Sequence, residues 1–310
     1  MRVGVAGVGS LGYHHARILA SMTGVELVGV FDQQAEAARR AVEDHGTRAF
    51  DRLADLAGEV EAMVLAVPTV AHAELGCPLL ECGVHTLVEK PMATSLEEAD
   101  ALLAAAAGSA ERPVLAVGHV EFYNPAVQAL LSVGEPSRYI EVQRLSTFSP
   151  RSLDVDVVLD LMIHDLQILH ALDGSPVAEI RATGIDVLSP RIDIANVRVA
   201  FESGAVATLT ASRVSSERIR KLRVFQTRSY FSLDYQKQEI RGYRLEGDDE
   251  GREIVPNDLP TEYREPLRAE LEAFVAACRG EPVAYVDGME GRQALASALA
   301  VTEAMERGNR

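Results

Sequence analysis

The chain has 310 residues, 47% of them hydrophobic, and a formal charge of −16; it is long enough for two domains and has ample apolar material for their cores. The acidic balance, with an isoelectric point near 5.0, disfavours nucleic acid and anionic membranes as partners, yet leaves room for an anionic small molecule held by a few local cations. No membrane span is expected, because no run of about 18 uncharged apolar residues occurs. Met1–Val8 enters a strand pattern directly, without the regions of a signal peptide. Cys77, Cys82 and Cys278 fit no zinc spacing and read as reduced thiols of a cytoplasmic protein.

Apolar, β-rich runs at Arg2–Val8, Val25–Phe31, Ala62–Val67, His85–Val88 and Val114–Val120 alternate with helical patterns at Gly12–Met22, Gln33–His45, Ala71–Cys82 and Ser95–Ala107. Strands this uniformly apolar are covered on both faces, and the alternation implies right-handed crossovers and a parallel sheet. Ser95 with Glu98 reads as a capping box. After Asn124-Pro125 the pattern changes. A helix is expected over Asn124–Ser132, then strands at Arg138–Thr147, Ala178–Val187, Asn196–Phe201, Ala205–Ser215 and Ile219–Gln226, interrupted by a helix over Val157–Leu172. Ser203-Gly204 marks a hairpin, Glu246–Pro260 reads as an exposed loop, and helices over Tyr263–Arg279 and Met289–Arg307 close the chain. This second half predicts a mostly antiparallel sheet with helices on one face.

Three motifs carry chemistry. Gly7-Val8-Gly9-Ser10-Leu11-Gly12 lies between the first strand and the first helix. There Gly7 permits a tight turn, Gly9 lets a pyrophosphate approach, and Gly12 allows close helix–strand packing, as in a Rossmann dinucleotide site. Asp32 ends the second strand twenty residues after Gly12, where a carboxylate bonds the ribose hydroxyls of NAD and repels a 2′-phosphate. Gln33 and Gln34 supply no arginine for that phosphate, so NAD is favoured over NADP; Asp32 could also serve as a helix N-cap. Glu89-Lys90-Pro91 follows a short strand, which places Lys90 at a strand's carboxyl end, where ligands of doubly wound sheets collect. Asp160 and His164, four apart on an apolar and therefore buried helix, share a face, and the carboxylate can orient the imidazole and raise its basicity. Taken alone, a lysine after a strand is more often a surface residue, and a buried Asp–His pair is as readily structural. With no third ligand spaced nearby, no metal is expected.

On these residues the chain resembles the Gfo/Idh/MocA oxidoreductase family over nearly its whole length. Val67-Pro68-Thr69 with His72 resembles the family segment flanking the nicotinamide side of the cofactor, Glu89-Lys90-Pro91 its most recognisable tripeptide, and Asp160 with His164 its catalytic pair. The resemblance implies an α/β Rossmann domain over 1–122, a doubly wound parallel sheet. It also implies an α+β domain over 123–310 with a large, mostly antiparallel open sheet, whose C-terminal helix is a candidate to pack back on the first. It further implies oxidation of a sugar or cyclitol alcohol, and a homodimer or homotetramer formed through the open sheet.

The segment Gly118–Val127, containing His119, Tyr123 and Asn124, and the segment Val157–Asp165 are similar to those of UDP-N-acetylglucosamine 3-dehydrogenase-type members. Such members oxidise the sugar's 3-hydroxyl for bacterial surface glycans or lipid A, and an aminotransferase follows them. Phe122 stands where an arginine is often found, and the Gly-Gly-Gly run that precedes the Asp-x-x-x-His motif in many relatives is absent. The expected roles follow. Lys90, Asp160 and His164 are catalytic. Residues 7–12, Asp32, Gln33, Val67, Pro68, Thr69, His72, Glu89 and Lys90 meet the cofactor. His119, Tyr123, Asn124 and Arg151, with Lys90 and His164, meet the substrate, and Arg144 and Arg213 are further candidate cations for a diphosphate. Three alternatives stay open: an inositol or free-sugar dehydrogenase, a non-catalytic NAD-binding sensor, and a redox-assisted hydrolase or lyase.

Overall fold

The computed structural model describes residues 1–148, 155–248 and 251–308. They pack as two compact units, Met1–His119 with Leu267–Arg292, and Val120–Pro266 with Gln293–Arg310.

In the first unit, β1 (Arg2–Ala6), β2 (Glu26–Phe31), β3 (Ala62–Leu65), β4 (His85–Glu89) and β5 (Leu115–Gly118) form a parallel sheet in the order β2-β1-β3-β4-β5. The buried runs of these strands explain the order of layers: a strand buried on both faces needs helices on both. Those helices are α1 (Ser10–Ala20), α2 (Ala35–His45), a short α3 (Leu53–Ala57), α4 (His72–Glu81) and α5 (Leu96–Gly108). Ser95 Oγ caps α5 by accepting the Glu98 N–H at 3.3 Å, but the Glu98 carboxylate reaches back to Thr94. Late in the chain α8 (Pro266–Cys278) supplies Leu271, Phe274 and Val275 to the core around Val3, Val5 and Leu87. Each such fully buried side chain stabilises the unit by roughly 1.5–3 kcal/mol. The strand order reverses between β1 and β3, which creates a crevice at their carboxyl ends.

The second unit holds α6 (Pro125–Leu131), β6 (Tyr139–Leu145), α7 (Ile163–Asp173), β7 (Val177–Ile185), β8 (Ile194–Phe201), β9 (Val206–Ser212), β10 (Ile219–Phe225), β11 (Ser229–Asp234), β12 (Glu239–Glu246), β13 (Glu253–Pro256) and, from Gln293 on, α9 (Gly288–Gly308). The strands form one sheet in the order β13-β12-β11-β10-β6-β9-β8-β7, antiparallel except for the β6–β9 pair. Alternation along them puts Ile140, Val142, Val197, Leu209, Leu222 and Val224 into one core with α6 and α7.

Three expectations need correction. The stretch over Glu246–Pro260 is not all loop, since β13 pairs with β12 there. β11 and β12, unmarked in the sequence reading, extend the sheet by an edge. The helix over Val157–Leu172 begins as a π-turn over Val158–Met162, closed by the Ile163 N–H on Val158 O, before α7 continues it. Asp156 Oδ1 starts that turn by accepting the N–H groups of Val158 and Leu159, each at 2.9 Å. Single π-turns inside helices recur at functional sites, and this one carries Asp160.

Candidate active site

The glycine loop leaves β1 at the switch point. Gly7 has φ +82°, and a Cβ there would meet Ala66 O at 2.6 Å; one on Gly12 would sit 1.7 Å from Gly7 O. Gly9 differs, since a Cβ there would meet no described heavy atom within 4 Å. Sterics thus fix Gly7 and Gly12 for the fold, whereas Gly9 borders open space. α1 starts there with Gly9 as its N-cap, no side-chain cap and no acidic residue in its first turn. Its N–H groups therefore meet an anion without competition, so the loop fits a dinucleotide's pyrophosphate. Gly9, Ser10 and Leu11 are exposed, and Gly7, Val8 and Gly12 are buried.

The loop is pinned to the end of β2: Gly7 N–H donates to Phe31 O at 2.8 Å, and Val8 N–H to Asp32 Oδ2 at 2.7 Å. Asp32 Oδ1 accepts Gln34 N–H at 2.8 Å. The N-cap of α2 is Gln34, so Asp32 is an anchored carboxylate at the strand end and not that helix's cap. A cleft of about 540 Å³ is lined by Gly7, Gly9, Asp32, Gln33, Val67 and Pro68 among others. A larger groove of about 840 Å³, between α3 and α4, is lined by none of the predicted site residues.

Thr69 opens a 3₁₀ turn after β3, ahead of α4. His72 is buried, with Nε2 2.9 Å from Val67 O and Nδ1 3.0 Å from Pro91 O. Burial lowers its pKa, and a neutral ring has one N–H to share between two carbonyls. His72 thus ties the Val67 segment to the Glu-Lys-Pro segment. Lys90 follows β4 directly and is half-buried, with a cis Lys90–Pro91 peptide. Glu89, buried, pairs with His15 Nε2 at 2.6 Å.

His119 is 1% exposed; burial first, and the Lys90 charge second, push its imidazole down to about 3. The unfolded chain takes up this proton near pH 6.5, whereas the folded one refuses it until about pH 3. His119 therefore leaves stability intact above about pH 6.5 and removes it as pH falls through that window. His119→Phe should flatten the acid limb of stability measured in urea; a wild-type slope would exclude this assignment.

In the second unit Asp160 is half-buried on the π-turn, and His164 is buried in the first turn of α7. The next residue, Asp165, is anchored from β6. Arg144 Nε and Nη2 donate to its two oxygens at 2.7 Å each, and Arg144 Nη1 to Glu121 Oε1 at 2.9 Å. Burial pushes the Asp165 carboxyl up, and the Arg144 charge opposes that rise. Tyr235 packs beneath the guanidinium, 5.0 Å from Cζ to ring centroid. The pair fixes α7 one residue from His164.

Other expected substrate groups have structural surroundings. Asn124 is buried; its Oδ1 caps α6 through Ala126 N–H at 3.1 Å and its Nδ2 donates to Tyr235 O at 3.0 Å. Tyr123 is buried edge-on to Phe122, with ring centroids 5.2 Å apart. Arg144 is committed to Asp165 and Glu121. Arg213 is buried and donates to Val155 O at 2.6 Å and Ile192 O at 3.2 Å. Neither is a cation held out to a diphosphate. Arg151 lies outside the described residues.

A glycine-cradled Rossmann unit joined to an antiparallel sheet unit with an Asp-x-x-x-His helix is the make-up of a dinucleotide-dependent oxidoreductase. Residues 1–119 match the oxidoreductase family model with an NAD-binding Rossmann fold, and residues 116–232 match the GFO/IDH/MocA C-terminal domain. The chain belongs to the Gfo/Idh/MocA family of oxidoreductases. It is 38% identical over 309 residues to the UDP-N-acetylglucosamine 3-dehydrogenase of Acidithiobacillus ferrooxidans, covering 99% of this chain and 97% of that one. A solved structure of UDP-N-acetylglucosamine 3-dehydrogenase from that organism superposes with a TM-score of 0.92 over 99% of this chain and 98% of that one. The scyllo-inositol 2-dehydrogenase (NAD(+)) of Bacillus subtilis is 26% identical, over 99% and 95% of the two chains.

The cradle gives a sharp pair of variants. Gly9→Ala should fold as wild type but weaken NAD binding by about tenfold or more, a loss of about 1.4 kcal/mol. Gly12→Ala should destabilise the unit itself by about 1–3 kcal/mol, because its Cβ overlaps the backbone. Melting curves and calorimetric titration separate the two. Wild-type NAD affinity in Gly9→Ala would remove this loop as the pyrophosphate site.

Proposed function

We propose that this enzyme oxidises the 3-hydroxyl of a UDP-N-acetylhexosamine with NAD. The observation that carries the reading is the 38% identity to a UDP-N-acetylglucosamine 3-dehydrogenase over 99% of the chain, together with the presence of Lys90, Asp160 and His164. Bound in the glycine cradle, NAD supplies the hydride acceptor. On this reading His164 accepts the hydroxyl proton, Asp160 orients the imidazole, and Lys90 hydrogen-bonds the reacting oxygen and steadies the charge developing on it. The residues expected at the cofactor are 7–12, Asp32, Gln33, Val67–Thr69, His72 and Glu89. His72 and Glu89 act from behind, through the backbone segments they hold. Arg151 is the proposed cation for the diphosphate.

NAD is proposed over NADP because the anchored Asp32 carboxylate stands at the end of β2. The arginine nearest along α2, Arg39, is turned to Glu36 at 2.7 Å. A tighter dissociation constant for NADP would overturn that preference. Association through the open sheet is supported by its outer face, where Tyr139, Phe225 and Tyr230 line adjacent strands with ring centroids 5.6 and 4.9 Å apart. Light scattering that gave a monomer mass would exclude it. A ketone product in a cytoplasmic setting would suit capture by a sugar aminotransferase.

The test is NADH formation from NAD and UDP-N-acetylglucosamine, with an aminotransferase or carbonyl trap to draw off an uphill ketone. Production with the UDP-sugar, and none with free N-acetylglucosamine or inositol, is expected. Silence with the UDP-sugar in protein that binds NAD would sink the reading. The inositol dehydrogenase relatives supply the second reading, which turnover of inositol would favour.

A further inference from the structure

His15, Glu89 and Glu270 come from α1, β4 and α8 of the first unit. All three are buried, and one nitrogen or oxygen atom from each lies within 4.8 Å of the others. His15 Nε2 contacts Glu89 Oε1 at 2.6 Å, and Glu89 Oε2 accepts the Lys90 backbone N–H at 3.2 Å. The bare backbone of β5 makes room for this carboxylate, since a Cβ on Gly118 would lie 2.8 Å from Glu89 Oε2. His72 on α4 also feels the Glu89 charge.

Glu270 is 0% exposed, and neither of its oxygens meets a hydrogen-bond donor among the described residues. Burial, and then the charge of Glu89, raise its carboxyl well above the usual carboxylate range. Two ionised carboxylates this close and this dry would be very unfavourable. One proton shared between them removes the conflict and turns Glu270 into a donor. A divalent metal would remove it too. However, two ligands of a tetrahedral zinc, each at about 2.0–2.2 Å, stand roughly 3.3 Å apart, whereas His15 and Glu89 have closed on each other at 2.6 Å.

We propose that His15, Glu89 and Glu270 form a proton-sharing cluster in which Glu270 is a positioning residue, fixing Glu89 and, through it, the backbone of Lys90 at the end of β4. The inference deepens the functional reading above and rests on Lys90 touching the reacting oxygen. No covalent change is involved: the proton stays within the cluster, and the effect on catalysis is geometric.

Infrared spectra of the full-length protein, with and without carboxyl-labelled glutamate, read the cluster without reference to activity. At neutral pH the wild type should show the carbonyl stretch of a protonated carboxyl, and Glu270→Gln should lose it. In turnover, Glu270→Gln keeps an N–H donor and should stay within about threefold of wild type, whereas Glu270→Leu and Gly118→Ala should lower kcat by about tenfold or more. KM for NAD should move less than kcat in either, because the glycine loop and its anchor on Asp32 are unchanged. The proposal is overturned by a wild type without the band, by a band that survives in Glu270→Gln, or by wild-type turnover in Glu270→Leu. Stoichiometric metal that His15→Ala removes would also overturn it. If Glu270→Leu does not fold, Gly118→Ala and the infrared band decide. If the wild type oxidises no sugar at all, the functional reading fails, and the band still decides whether Glu270 shares a proton.

Discussion

Replacing His164 with alanine is expected to lower turnover of the UDP-sugar by about 10²-fold or more, while NAD binds as before. The contrast follows from where the residue stands. His164 belongs to the second unit, in the first turn of α7, and the residues of the cradle belong to the first. The alanine also removes a buried ring, so stability must be followed beside activity. Lys90→Ala should reach a similar loss by a different route, since on the proposed mechanism the lysine stabilises the oxygen and does not take its proton. Asp160→Asn should lie between these variants and wild type, as it keeps the side chain's size and removes only the charge proposed to orient the imidazole. Near-full activity in His164→Ala with the true substrate would end the assignment of His164 as the base. Activity lost together with NAD binding would instead mean that the first unit had been disturbed.

The first unit was legible because its strands are apolar on both faces and its turns carry glycines with a steric task. Gly7 and Gly12 could be read from spacing alone, and the clashes a Cβ would make explain why that spacing is so informative. The far edge of the second sheet was less legible. β12 alternates buried residues with Glu239, Arg241 and exposed Tyr243, so little apolar sequence marks it. The β11–β12 turn also lacks a glycine or asparagine; Gln238 takes the left-handed conformation there at φ +55°. The π-turn was invisible because over five residues a turn that bonds i to i+5 and an α-turn bury the same side chains.

Within the site, the tasks of some residues depend on surroundings that residue type alone does not show. Arg144 looked like a cation for a diphosphate, yet the alternation of β6 already placed it with Ile140 and Val142 on the core side. That signal was available and outweighs charge as a guide to where an arginine points. The His15–Glu89–Glu270 cluster had no such signal. Glu270 lies on a helix far along the chain, and only the return of α8 to the first unit brings it to Glu89.

Arg144→Met should destabilise the second unit by about 3–5 kcal/mol, the cost of leaving buried carboxylates without their partner. Arg144, Asp165 and Glu121 have side chains 2%, 1% and 10% exposed, so water cannot replace the guanidinium. Arg220 Nη1 contacts Glu121 Oε1 at 3.4 Å, the same oxygen that Arg144 holds, so Glu121 would keep a cation while Asp165 would lose its bidentate partner. The double variant Arg144→Met with Asp165→Leu should recover much of the loss, because apolar groups of similar volume often replace a buried pair at little cost. Urea unfolding of the three proteins measures this directly. Should Arg144→Met unfold within about 1 kcal/mol of wild type, the pair is a solvated contact, and its proposed hold on the helix that carries His164 falls with it. If the double variant recovers stability but not turnover, the ion pair sets the position of α7 as well as its stability, which an apolar contact does not reproduce.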